Sequence, residues 1–342
     1  MKVFLETSVD DIMSWLALNQ EKPFRLKQLN EWIFKKGELD FNKMTNLPSK
    51  LREKLAEYFL LPSAKVIHRK SSRDGQSIKY LLKLKDGMGI EAVLLKYRYG
   101  NTLCVSTQVG CKMGCKFCAT GLGGFSRNLT SGEMLEQLLL LQKDSQEKIN
   151  RIVLMGSGEP LDNYEEVVKF IKRVNEKDNF NISFRKITVS TCGIVPKIRQ
   201  LAEENLPVTL AISLHAPEDS LRNELLPINK RWGLEELLSA AWYFIEKTGR
   251  RVSFEYALIE GVNDSPNYAL KLATLLKGKL VHVNLIPYNK IGGQNFKTSS
   301  DEKIEKFKEI LKKAAIPVTV RRELGDEIEG ACGQLKAKYF GV

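Results

Sequence analysis

Residues 104–118 read Cys104-Val105-Ser106-Thr107-Gln108-Val109-Gly110-Cys111-Lys112-Met113-Gly114-Cys115-Lys116-Phe117-Cys118. The first part, with Thr102 and Leu103 before it, is apolar and β-branched, as a strand would be. Gly110 and Gly114 then mark a tight loop. Cys111, Cys115 and Cys118 stand on that loop at the spacing C-x3-C-x2-C. Three thiolates so placed can grip three corners of a cubane 4Fe–4S cluster, which normally takes four. The remaining iron then keeps an open position, able to chelate an amine and a carboxylate. A structural zinc ion prefers four ligands and a second distant pair, and no Cys/His pair follows here. A Cys-x-x-Cys redox pair leaves the third cysteine without a purpose. Core packing would seldom produce this spacing. The cluster is therefore the favoured reading.

Beyond the loop the chain alternates strand and helix. Strands are expected at 102–106, 151–155, 186–190, 208–214, 252–258 and 281–286, with helical periods between them. In one of these, Thr130 and Glu133 form a capping box before a leucine-rich face. Such alternation implies right-handed βα units and a parallel sheet, either open or part of a barrel. Upstream, residues 62–100 read as a β-meander. Asp74-Gly75 and Asp86-Gly87 are its hairpin turns, and Glu91 lies on its last strand. Residues 1–61 read as three short helices rich in basic residues. One starts behind Ser8, one carries Trp32-Ile33-Phe34, and one opens at Pro48. This segment can touch RNA or a partner, or simply cap the core. The expected division is thus 1–61, 62–100 and 101–342.

The 342 residues carry 53 Lys and Arg against 41 Asp and Glu, a net charge of +12. That surplus points to a polyanionic partner, by default nucleic acid. With 43% hydrophobic and 27% charged residues, the chain has the composition of a folded globular protein. No apolar run reaches the roughly 18 residues of a membrane span, and no signal-peptide pattern opens the chain. A cytoplasmic, reducing location is expected, where cysteines serve as ligands or catalysts.

The loop's aromatic, Phe117, completes a signature that resembles the radical S-adenosylmethionine (SAM) superfamily. Further matches run along the chain: Phe24-Arg25, Arg127-Asn128-Leu129-Thr130, Gly158-Glu159-Pro160-Leu161, Ser213-Leu214-His215 and Leu226-Pro227-Ile228-Asn229. Gly261-Val262-Asn263-Asp264, Asn284 through Asn289 and Ala331-Cys332-Gly333 complete the series. In this order they resemble the RlmN/Cfr family of RNA adenine methyltransferases.

The resemblance implies an α/β fold, a partial (βα)6 TIM-like barrel with a helical N-terminal domain and the meander as extension. It implies a 4Fe–4S cluster on Cys111, Cys115 and Cys118. SAM contacts are implied at Gly158, Glu159, Ser190, Ser213, Leu214, His215 and Asn289, with two SAM molecules used per turnover. The implied substrates are adenosine 2503 of 23S rRNA and adenosine 37 of tRNAs, methylated at C2. Cys332 would take a methyl from one SAM. A radical made from the second would activate that methyl to add to the base. Glu91 would accept the proton from the substrate carbon, and Cys104 would release the product through a transient disulfide with Cys332. A flavodoxin or ferredoxin as electron donor, no membrane association and a monomeric state are further implications.

Two positions separate branches of the family. Ser157 stands where the commonest version has Met. Pro160 favours the C2-methylating branch, because the C8-methylating, antibiotic-resistance branch usually carries Ala there. The C8 activity is the alternative, and a non-catalytic zinc RNA-binding protein is a more distant one. Cys192 reads as packing, as do His68 and His282. Tyr288 reads equally as core or as a surface on which adenine could stack.

Overall fold

The computed structural model describes residues 1–290 and 295–321. Cys332 therefore lies outside the described residues. Ten strands form one sheet: β1 (Lys65–Ser71), β2 (Ser77–Lys83), β3 (Gly89–Tyr97), β4 (Gly100–Cys104), β5 (Ile149–Leu154), β6 (Ile187–Thr191), β7 (Thr209–Ser213), β8 (Val252–Leu258), β9 (Val281–Pro287) and β10 (Val318–Val320). Their spatial order is their chain order. From β1 to β4 every neighbour is antiparallel. From β4 to β10 every neighbour is parallel.

The turns explain the first half. Gly75 and Gly87 adopt φ of 65° and 87°, which the two hairpins require. The crossovers explain the second half. A helix follows each of β4 to β9, giving six βα units, and the short strand β10 comes after the last. That three-residue strand, Val318-Thr319-Val320, is β-branched throughout but is not among the expected strands. The expected strand at 102–106 is shifted, because its ladder runs from Gly100 to Cys104. Past Cys104 the backbone turns away to build the cysteine loop.

The meander is continuous with the barrel sheet, joined through the β3–β4 ladder. The sheet also curls. Residues of β2 and β3, the ends of β4 to β9, and Arg321 just beyond β10 all line one cavity. Strand interiors such as Ile212, Phe254 and Leu285 are fully buried beneath the helices. Thr130 accepts from the Glu133 N–H at 3.1 Å and Glu133 accepts from the Thr130 N–H at 3.0 Å. A cap of this kind contributes about 1 kcal/mol and fixes the start of the first crossover helix.

At the N-terminus, helices Val9–Leu18, Phe24–Asn30 and Ser49–Tyr58 pack around Phe4, Trp15, Phe41 and Phe59. The second continues as a π-helical turn over Glu31–Lys35. Lys2–Val3 pairs in parallel with Phe59–Leu60, which ties the two ends of this unit together. Among the described residues no helix is long and apolar enough to cross a membrane.

Candidate functional site

A cavity of about 330 Å³ opens at the C-terminal ends of the parallel strands. Parallel α/β proteins bind ligands there, because strand ends and loops converge on that side. The cysteine loop forms one wall. Gln108–Gly110 pairs antiparallel with Phe125–Asn128, so residues 111–124 are held as a closed loop. Gly110 is needed at the neck: its φ is 80°, and a Cβ there would lie 2.0 Å from the Gly124 carbonyl oxygen. The Cys111 N–H donates to that same oxygen at 2.8 Å.

Cys111, Cys115 and Cys118 all line the cavity, as does Cys104 at the end of β4. Burial pushes the Cys111 thiol up to about 12, and burial also raises Cys115. Bare thiolates are thus disfavoured, and a cationic centre is what would hold them ionised. Among the described residues no three His, Cys, Asp or Glu side chains gather closely enough to bind a single metal ion. Three cysteines of one loop lining one cavity are the donor set that a 4Fe–4S cluster takes, one thiolate to each of three irons. Phe117 packs edge-on against His215, with ring centroids 4.5 Å apart, and so anchors the loop to the end of β7.

The segment after β5 forms the floor. Gly158 has φ of 108°, and a Cβ there would meet the Gln108 side chain at 2.6 Å. Glu159 is buried. Its carboxylate accepts from the Leu161 N–H at 3.0 Å and the Cys192 N–H at 2.8 Å, while its own N–H donates to Gln108 Oε1. Burial nevertheless raises its pKa. Ser157 is buried too, and its N–H donates to Ser106 Oγ at 2.9 Å.

Ser190, Ser213, His215 and Asn289 line the cavity from β6, β7 and β9. His215 sits at φ of 57°. Its Nδ1 accepts from the Ala257 N–H at 2.9 Å, leaving Nε2 to carry the ring proton. Burial, with Arg222 nearby, lowers its pKa to about 3, so the ring is neutral. Asn263 secures it by donating to the His215 carbonyl at 2.8 Å. Leu214 is different: its side chain belongs to the hydrophobic core and does not line the cavity.

Glu91 lies on β3, buried, with Oε2 3.2 Å from Nζ of Lys79 on β2. The backbone carbonyl of Glu91 accepts from Ser106 Oγ at 2.5 Å. Lys79 itself lines the cavity.

Sequence reasoning missed Lys79, which reads as an ordinary strand lysine until the register sets it diagonally across from Glu91. It also missed Arg222, a fully buried guanidinium inside the short helix Asp219–Leu225. Arg222 donates to the carbonyls of Leu214, Cys192 and Ser213 and to Asn229 Oδ1. It thereby braces the ends of β6 and β7 and accounts for Asn229 in the Leu226–Asn229 motif. Cys192, read as packing, is buried, lines the cavity, and its backbone joins Glu159 to Arg222. Tyr288 is buried against Phe296, with ring centroids 5.9 Å apart, and also lines the cavity.

The radical SAM superfamily model matches residues 105–273, and the ribosomal RNA large subunit methyltransferase N-terminal domain matches residues 4–61. A probable dual-specificity RNA methyltransferase RlmN from Carboxydothermus hydrogenoformans is 77% identical over 342 residues, covering 100% of both chains. One of the same description from Clostridium tetani is 52% identical over 98% of this chain and 96% of that one. The crystal structure of a radical SAM methyltransferase from Sphaerobacter thermophilus superposes with a TM-score of 0.93. It is 42% identical and covers 98% of this chain and 99% of the other. With a cysteine loop after the first parallel strand, a glycine-glutamate turn after the next and relatives matched end to end, the chain belongs to the RlmN family of radical SAM RNA methyltransferases.

Proposed function

We propose that this chain methylates C2 of adenosine in RNA, at adenosine 2503 of 23S rRNA and adenosine 37 of tRNAs. The observation that carries the reading is the meeting of Cys104, the three loop cysteines and Lys79 around one cavity, with Glu91 buried 3.2 Å behind Lys79. A 4Fe–4S cluster on Cys111, Cys115 and Cys118, with SAM beside it, would supply the methyl group and one-electron chemistry. The residues around it have separable tasks. Gly158 lets the backbone approach SAM closely. Glu159, Ser190, Ser213, His215 and Asn289 orient it, and neutral His215 adds no charge to repel its sulfonium. Leu214 serves only by packing the strand end in place.

Adenine C2 is electron-poor, so direct transfer of an electrophilic methyl to it is disfavoured. A methyl carried on the Cys332 sulfur avoids that difficulty. Glu91 accepts the C2 proton once the base is linked to Cys332, and Lys79, 3.2 Å away, holds that side chain in place. The Cys104 thiolate then attacks the Cys332 sulfur. A disulfide forms as the sulfur–carbon bond breaks; the bonding electron pair passes to the methylene and the C2-deprotonated base, and a proton from water completes the methyl group of the released product. The target adenosine is presented out of its stack, as base-modifying enzymes require. A small flavoprotein or ferredoxin would supply electrons to the monomeric, cytoplasmic enzyme. The N-terminal helical unit, residues 1–61, would contact RNA.

The test is mass spectrometry of 23S rRNA and tRNA from a methyltransferase-null strain carrying this gene. 2-Methyladenosine at both positions is expected. Exclusive 8-methyladenosine would overturn the C2 assignment.

A further inference from the structure

The opposite end of the barrel holds a second cavity, of about 480 Å³, at the N-terminal ends of the parallel strands. Five cations line it: Arg151 on β5, Arg185 and Lys186 before β6, Arg251 before β8, and Arg321 after β10. Among the described residues none of the five forms a salt bridge. Glu255 is the one acid lining the cavity among the described residues. It is buried, and its Oε1 already accepts from Ser253 Oγ and Asn284 Nδ2, both at 2.9 Å.

One further observation points to an absent acceptor. Nε of Arg151 is a buried donor without a hydrogen-bond partner, and Arg151 lines this cavity. His282 Nε2 is engaged by Asn284 Oδ1 at 3.1 Å and Thr319 Oγ1 at 2.9 Å. Beside them Tyr97 and Tyr99 stack with ring centroids 4.9 Å apart and planes 10° off parallel. The Arg151 guanidinium lies 4.9 Å from the Tyr99 ring centroid.

We propose that this lower mouth is a phosphate-binding site, which meets the SAM and adenine cavity inside the barrel at Leu95, Met155, Glu255 and Arg321. Arg321 faces the Glu255 carboxylate, but Arg151, Arg185, Lys186 and Arg251 converge without an acid beside them among the described residues, and an anion relieves their mutual repulsion. Guanidinium forks match phosphate oxygens in pairs. The exposed tyrosine face beside them suits a base attached to the phosphate. Two sources share this chemistry, the backbone of the RNA substrate and a free small phosphate. The inference does not depend on whether C2 is the methylated carbon.

The experiment compares the holoenzyme with an Arg185→Gln/Lys186→Gln/Arg251→Gln variant, whose three positions are exposed and lie outside the catalytic cavity. A Lys306→Gln/Lys312→Gln/Lys313→Gln variant removes equal charge from helix Asp301–Lys313 as control. Binding of a full-length tRNA transcript is measured over a salt series, and binding of inorganic pyrophosphate by calorimetry. If backbone phosphates fill the site, tRNA affinity falls at least tenfold in the first variant. The slope of log K against log salt then becomes shallower by about 2, with the control near wild type. If a free phosphate fills it, the wild type binds pyrophosphate, the first variant loses that binding at least tenfold, and tRNA affinity is unchanged. If neither ligand distinguishes the first variant from the control, the proposal is overturned.

Discussion

Lys79 Nζ stands 3.2 Å from Glu91 Oε2, and the two side chains are only 1% and 2% exposed. The antiparallel register of β2 and β3 creates this pair: Lys79 pairs with Val93 and Leu81 with Glu91, so Lys79 and Glu91 meet diagonally on one face. A buried ion pair is of uncertain net worth, but breaking one is costly because a charge is left behind. Lys79→Met is expected to lower stability by about 3 kcal/mol, as measured by urea unfolding of the apoprotein. Lys79→Arg should lose less. Glu91→Gln should load methyl onto Cys332, visible by intact mass, yet release no methylated RNA. Full turnover by Glu91→Gln would remove the base role from this carboxylate.

The neutral, buried His215 ties stability to pH. Its folded pKa is about 3, whereas an unfolded histidine titrates near 6.5. As pH falls below the unfolded value, the unfolded chain gains a proton that the native ring refuses. His215 therefore contributes a loss of stability between about pH 6.5 and 3, at up to about 1.4 kcal/mol per pH unit. His215→Asn suits the positive φ and can still accept from the Ala257 N–H. Its urea-unfolding free energy should fall less steeply than wild type between pH 6 and 4. Parallel curves would show that the ring is protonated in the fold.

Arg222 gathers three backbone carbonyls from the ends of β6 and β7. Replacing it with Met leaves those acceptors and Asn229 without their donor. A loss of roughly 3 kcal/mol or more is expected. SAM affinity should weaken as well, since Ser213 and His215 flank the braced carbonyls. Calorimetric titration with SAM and urea unfolding check the two effects separately.

The thiols divide by role. Cys115→Ala should yield colourless protein with little iron after anaerobic reconstitution, while Cys192→Ala should keep its brown colour. Cys104→Ala should accumulate an RNA–protein crosslink on a denaturing gel, and Cys332→Ala should form none. A crosslink in the Cys332 variant would reverse the assignment of carrier and resolving cysteine.

The sequence alone established the six βα units, the hairpin turns and the cysteine loop. Each rests on local rules: the alternation of strand and helix periods, glycines at positive φ, and thiols within eight residues of one another. It also carried the family motifs, because their chemistry lies in short contiguous runs. The tertiary structure decided what local rules cannot reach. The partner of Glu91 depends on strand register, and the bracing by Arg222 depends on where a short helix lands relative to two strand ends. The five cations of the lower mouth are scattered over some 170 residues of chain and share nothing in sequence. Only the curl of a ten-stranded sheet brings them to one opening.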